Sequence, residues 1–382
     1  MNSKEILEKL KADIATLHSN IINIDENISL EDLKKLKNHV IKRFEKIQLD
    51  DKEEDCWRDI DAPIPPDDSI SIKTGMKRFD SWNVLRKKRQ LCFIGKTGEG
   101  KTLSMENLAS MVAKQGYKVA YLSFEVEWGE VQKRIICQCL NIEEEQFTKY
   151  ESYEIAKRFL NEKIKKPVIF YDPYATYSPD ELKERILKKE EDMGEKFDII
   201  FIDYLGIIDS PEDNMYEKGK AISAAFMRYA KGYNWAIVSA AQANRAGMIK
   251  VIPSLDDIAE SMGINHYFDW MISILHYSEL RKRKLFAFSL QKARYVSNNN
   301  YVGVIDVFKS DWEYAGKFSE VNDKDNEELS KMIISDNSKD PKKVGVTTVS
   351  STRTKVIKNE NSKAITVNAI DLLKDPDKLW KV

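Results

Sequence analysis

The chain has 382 residues, room for two or three domains or for one large domain with appendages. Its 61 basic and 62 acidic residues leave a net charge of −1, which excludes a global attraction to nucleic acid or membrane and makes any such site local. The hydrophobic fraction of 42% supports a real core, yet no apolar run approaches the ~20 residues of a bilayer span.

Met1-Asn2-Ser3-Lys4-Glu5 leads into an amphipathic pattern rather than an apolar signal segment, so a reducing, cytoplasmic setting without membrane contact is expected. Cys56, Cys92, Cys137 and Cys139 are scattered and lack nearby His, which suits buried thiols better than a zinc site. Residues 1–49 carry Leu7, Leu10, Ile14, Leu17 and Ile21, then Leu33, Leu36, Val40, Phe44 and Ile47, at helical spacing. Ser29 and Asp32 give the second helix a capping-box-like start. A helical hairpin is expected there, followed by an acidic, proline-rich linker at about 50–70.

From residue 71 to about 315 short apolar runs alternate with helical patterns. Strands are expected at 90–95, 119–124, 167–171, 197–202, 236–240, 270–276, 285–291 and 301–308. Helices are expected at 103–115, 128–140, 178–189 and 216–232. Such alternation implies an α/β fold with a mostly parallel sheet covered on both faces, whose ligands sit at the carboxyl ends of the strands. The basic runs Arg86–Arg89 and Arg281–Lys284 read as a solvated entry loop and a solvated turn between two strands. Residues 316–382 turn polar and read as a flexible tail, with Leu372, Leu373, Leu379 and Trp380 as a candidate docking segment.

The chemistry centres on Gly95-Lys96-Thr97-Gly98-Glu99-Gly100-Lys101-Thr102, a G-x-x-x-x-G-K-T phosphate-binding loop between a predicted strand and a predicted helix. Its glycines let backbone N–H groups face an anion, and the helix adds the positive end of its dipole. Lys101 is placed to reach the β- and γ-phosphates of a nucleotide such as ATP, and Thr102 to hold Mg²⁺. Asp203 ends the apolar run Ile199–Ile202 and is the second metal-ordering carboxylate. Glu125 ends the neighbouring strand as the candidate base for the attacking water, with Glu127 as its competitor. Gln242 ends the strand at 236–240 and is the candidate γ-phosphate sensor.

With these residues in order, the core resembles the RecA-like motor of DnaB-type replicative helicases, including those of tailed bacteriophages. Ile72–Asp80 resembles the stretch that leads into that motor, and Leu122-Ser123-Phe124-Glu125 its S-L-E segment. Ile202-Asp203-Tyr204-Leu205 matches its I-D-Y-L signature. Ser239–Arg245, Asp257–Ser261 and Lys292-Ala293-Arg294 resemble the later segments. The resemblance covers about 71–310. It implies a homohexameric ring, an arginine finger at Arg294 with Lys292 beside it at the neighbour's ATP site, and single-stranded DNA held near Arg245 and Lys250. It also implies 5′-to-3′ unwinding of forked DNA, with a primase, loader or polymerase as partner. Two further readings share this core: a RecA-type recombinase filament, and an accessory ATPase that does not unwind.

Overall fold

The computed structural model describes residues 70–174, 176–212, 214–242, 251–253, 255, 262–294 and 302–338, together with three short strands between 348 and 368. The chain divides into two units, Met1–Pro66 and Asp67–Val382, and the description concerns the second. The expected hairpin at 1–49, nearly all of the linker, Cys56, Arg245 and Lys250 lie outside the described residues.

A short helix α1 (Lys77–Trp82) precedes the first strand, β1 (Gln90–Gly95), which is buried along its whole length. Then follow α2 (Lys101–Lys114), β2 (Val119–Ser123), α3 (Trp128–Leu140), α4 (Ser152–Asn161), β3 (Val168–Tyr171), α5 (Pro179–Met193) and β4 (Ile199–Asp203). The second half runs α6 (Met215–Tyr233), β5 (Ala236–Gln242), α7 (Met262–Asn265), β6 (Trp270–Leu275), α8 (Ser278–Lys282), β7 (Leu285–Ala293), β8 (Ile305–Asp311), β9 (Lys317–Glu320) and α9 (Asp323–Ser338). Strands β1 to β9 form one sheet in the order β3-β2-β4-β5-β1-β6-β7-β8-β9. From β3 through to β6 every pairing is parallel, and from β6 to β9 every pairing is antiparallel. The expected α/β architecture is therefore present, with an antiparallel extension along one edge.

Alternation along the strands explains the layers. In β1, Leu91 and Phe93 join Leu108 of α2 and Ile135 of α3 on one face. Cys92 and Ile94 join Ile186 of α5 and Phe226 of α6 on the other. Both faces of the parallel part are thus covered, which is why its strands read as continuous apolar runs rather than alternating ones. Each fully buried side chain of this size contributes roughly 1.5–3 kcal/mol relative to exposure. The start of α5 is fixed as its sequence suggests: Pro179 opens the helix, and Ser178 and Glu181 form a reciprocal capping box. Cys92, Cys137 and Cys139 are buried and form no disulfide, in line with their expected role as core thiols.

Three expectations are corrected. First, residues 317–338 are not tail: β9 extends the sheet and α9 packs on it. Phe318, Val321 and Ile333 are buried, and a few apolar anchors suffice where the sheet already offers an edge. Second, the basic run Arg86–Arg89 is partly buried, with Lys87 paired to Asp198 at 2.5 Å. Third, Arg281 and Lys282 belong to α8 rather than to a bare turn between β6 and β7. Strands β10 (Thr348–Val349), β11 (Thr354–Ile357) and β12 (Ile365–Asn368) form a separate antiparallel sheet. Among the described residues no helix is long and apolar enough to cross a membrane.

Candidate nucleotide site

The parallel register puts the functional side chains at one end of the sheet. Gly95 pairs with Gln242, and Ser123 pairs with Asp203, so β1, β5, β2 and β4 all end on the same side. The loop Gly95–Lys101 begins there and runs into α2, whose N-cap is Gly100. Gly100 has φ +90°, and a Cβ on it would lie 2.6 Å from the Phe286 ring, so both backbone and space require glycine. Gly98 also has a positive φ, +72°, but faces open space, so only its backbone conformation demands glycine.

The loop is tied from several directions. Glu99 is 6% exposed and accepts from the Lys96 backbone N–H at 2.9 Å, and the Lys96 ammonium lies 3.3 Å from it. Gln242 donates from Nε2 to Thr97 Oγ1 at 2.5 Å. Lys101 donates to the carbonyls of Gly95 and Lys96 at 3.1 and 2.9 Å. Burial lowers the Lys101 pKa, and the charges of Asp203, Glu99 and Glu125 work against that loss. An ammonium held by two neutral carbonyls among carboxylates is ready to exchange them for an anionic oxygen.

Asp203, at the end of β4, is 1% exposed. Burial pushes its carboxyl up to about 6, while hydrogen bonds from Thr102 and Tyr121 and the Lys101 charge hold it lower than burial alone would. Tyr121 donates its hydroxyl to Asp203 Oδ2 at 3.1 Å. A hydroxyl and a carboxylate in hydrogen-bond contact beside a phosphate-binding loop fit a magnesium ion, which takes few protein ligands and completes its shell with phosphate and water. Glu125 lies exposed two residues past β2, and its charge acts on both Lys101 and Asp203.

Lys292 and Arg294 lie elsewhere. Trp270 pairs with Leu91 in one direction and Ala293 in the other, and the Arg294 N–H donates to Asp269 O at 3.0 Å. Asp269 N–H in turn donates to the Gln90 carbonyl, so Arg294 is level with the start of β1. At ~3.3 Å per residue that level lies roughly 17 Å below Gly95, beyond the reach of an arginine side chain. Lys292 donates to the Asn265 carbonyl, and Arg294 donates to the His266 carbonyl at 2.5 Å with Asp269 Oδ1 4.0 Å away. Burial and the Arg294 charge push the Lys292 pKa down to about 8.

Three contributors escape sequence reasoning. Tyr121 sits on the same face of β2 as Ser123, so its approach to Asp203 follows only from β2 and β4 being neighbours. Glu106, one turn after Thr102 on α2, is fully buried. Burial pushes its carboxyl up to about 8 despite Arg134, whose Nη1 is 3.4 Å from Oε1. Arg281 donates from Nη2 to the Gly98 carbonyl at 2.8 Å, although its basic run reads as solvated.

A glycine loop between β1 and α2, with an acidic residue ending a nearby parallel strand, defines a P-loop nucleotide-binding domain of RecA-like fold. The model of the DnaB-like helicase C-terminal domain family matches residues 71–297, and the chain belongs to that family. A DnaB-like replicative helicase of Enterobacteria phage T4 is 26% identical over 213 residues, covering 53% of this chain and 45% of that one. A probable plasmid replicative DNA helicase of Chlamydia trachomatis is 26% identical over 216 residues, covering 53% and 47%. The chain thus spans about half the length of the curated relatives it matches. In fold it is similar to a solved ATPase domain (TM-score 0.56, 16% identity, 75% of this chain and 99% of that one). It is also similar to a DnaB-like replicative helicase studied for its interactions with primase (TM-score 0.57, 14% identity, 83% and 76%).

Proposed function

We propose that the chain is the motor subunit of an ATP-driven replicative DNA helicase, working as a ring of six in the cytoplasm. It translocates 5′-to-3′ on single-stranded DNA at forks, in contact with a primase, loader or polymerase. One observation carries this reading. Lys101, Thr102, Asp203, Glu125 and Gln242 gather at one end of the sheet, while Lys292 and Arg294 stand at the other. A single copy supplies most of an ATP site and, on its far side, the cations to complete a neighbour's.

In that reading the loop's backbone N–H groups and Lys101 bind the β- and γ-phosphates. Thr102 and Asp203 order Mg²⁺, which neutralises charge on the phosphate oxygens when bound. Glu125 accepts the proton of the attacking water. Gln242, which touches Thr97, registers loss of the γ-phosphate and passes it to the segment 243–261, where Arg245 and Lys250 hold the DNA backbone. Arg294 from the adjacent copy stabilises charge in the transition state, with Lys292 beside it.

The test is an unwinding assay on forked duplexes bearing either a 5′ or a 3′ single-stranded tail. ATP-dependent strand release only with the 5′ tail, at a protein concentration where the ring forms, is the expected result. No release from either fork, with single-copy behaviour in the presence of ATP and DNA, removes the reading.

A further inference from the structure

The outer side of the phosphate-binding loop is gripped by the β6–β7 connection. His276 follows β6 and stacks on Phe286 of β7 with ring centroids 3.6 Å apart. Phe286 in turn closes on Gly100, the N-cap of α2. Between them, Arg281 of α8 donates from Nε to the His276 carbonyl and from Nη2 to the Gly98 carbonyl, each at 2.8 Å. The guanidinium therefore bridges the end of a core strand and the tip of the loop.

That contact fixes a particular peptide. The N–H of the Gly98–Glu99 unit donates to the Lys96 carbonyl at 3.2 Å, and its C=O accepts from Arg281. A peptide is planar, so holding both ends sets its orientation, and with it the direction in which the following N–H groups of Gly100 and Lys101 point. Gly98 meets nothing within 4 Å on its side-chain side and has the broad backbone freedom of glycine. Without Arg281 the N–H end keeps its bond to Lys96, but the carbonyl end loses the donor that holds it. The inward N–H groups of a phosphate loop are useful only when their direction is set before the anion arrives.

We propose that Arg281 is a positioning residue of the nucleotide site, bracing the Gly98 carbonyl against the end of β6 so that the loop is preorganised for the triphosphate. The proposal rests on the loop being the phosphate site, as argued above. Arg281 spends its Nε and Nη2 donors on backbone carbonyls, those of His276 and Gly98. It acts through one peptide bond. A planar fork with two donors suits the bridge, and lysine, with a single ammonium, can serve the Gly98 carbonyl but not both carbonyls at the same geometry.

The experiment measures binding of a fluorescent ATP analogue and steady-state ATP turnover for the full chain carrying Arg281→Met, Arg281→Lys or, as a control, Lys101→Ala. Methionine keeps the aliphatic stem and removes the donors. The expected outcome for Arg281→Met is a nucleotide Kd raised about tenfold, a KM raised in parallel, kcat changed less than about threefold and an unchanged nucleotide-free melting temperature. Arg281→Lys is expected to recover at least half of the lost binding free energy. A wild-type Kd for Arg281→Met overturns the proposal. So does an Arg281→Met variant whose nucleotide-free melting temperature falls along with its affinity, which reduces Arg281 to a structural role. If Lys101→Ala also binds nucleotide like the wild type, the assignment of the loop itself has failed, and that outcome is distinguishable from failure of the brace alone.

Discussion

The two ends of the sheet carry opposite chemistries. At the carboxyl end of β1, β2, β4 and β5, burial raises the pKa of an acid, Asp203, and lowers that of the loop lysine, Lys101. At the other end, two cations, Lys292 and Arg294, rest on the carbonyls of residues 265 and 266, with the buried Asp269 4.0 Å from Arg294. The first end is a glycine loop beside a buried acid, which the proposed function reads as a phosphate cradle with its metal-ordering carboxylate. The second is a pair of donors resting on neutral partners that an anion can replace. A parallel sheet keeps these ends apart by the length of its strands. On the function proposed above, the two ends meet when copies of the chain pack head to tail, which is how heterologous contacts build rings.

The largest effect expected on this comparison comes from emptying the cradle. Lys101→Ala removes the ammonium from the phosphates in both ground and transition states, and ATP turnover should fall more than about a thousandfold. Turnover near that of the wild type would leave the cradle without its principal cation and end the contrast between the two ends. Arg294→Ala probes the other end. Alone it should cost about a thousandfold in turnover. When it is mixed with inactive Lys101→Ala subunits, turnover should reappear, because an interface is rebuilt wherever the intact cradle of an Arg294→Ala copy meets the intact Arg294 of a Lys101→Ala copy. A mixture as inactive as its two components places Arg294 outside the neighbour's site.

Glu125→Gln sharpens the assignment within the cradle. The amide keeps the shape and cannot take a proton, so hydrolysis should slow about a hundredfold while nucleotide affinity is retained. Undiminished hydrolysis would transfer the base role to Glu127, which lies exposed at the N-cap of α3.

The sequence is more legible at the cradle than at the opposite end, and the reason is physical. Gly98, Gly100, Lys101 and Thr102 lie within one short stretch because a single loop forms the proposed cradle, so their spacing is itself the signal. Asp203 and Gln242 each end an apolar run, and parallel strands bring such ends together. The placement of Arg294 depends instead on β7 turning antiparallel to β6, which no local pattern around Lys292 announces. Arg281 is hidden for a related reason. In a run of four basic residues, which one faces the loop is decided by the short helix α8 and not by composition. The segment 317–338 reads as tail because Phe318, Val321 and Ile333 are sparse in polar surroundings. A few anchors against an existing sheet suffice for order, whereas an independent domain would need many more.

The smallest effect concerns the acid behind the cradle. Glu106 is fully buried on α2, its carboxyl raised from 4.5 to about 8 chiefly by burial. Between these two values the folded chain holds a proton that the unfolded chain has released, so stability declines as pH rises through that interval. Glu106→Gln keeps a neutral group of the same shape and an oxygen for Arg134, and it abolishes the titration. Asp203, raised from 3.8 to about 6, tilts stability in the same direction at lower pH and is present in both proteins. The melting temperature of Glu106→Gln relative to the wild type should therefore climb by about 3 °C or more between about pH 5 and about pH 8. A difference that stays flat across that range would mean that Glu106 is ionised against Arg134 throughout. The cradle would then be backed by an ion pair, and its floor would resemble the charge-paired surface of the molecule more than a dry support for the metal-ordering acid.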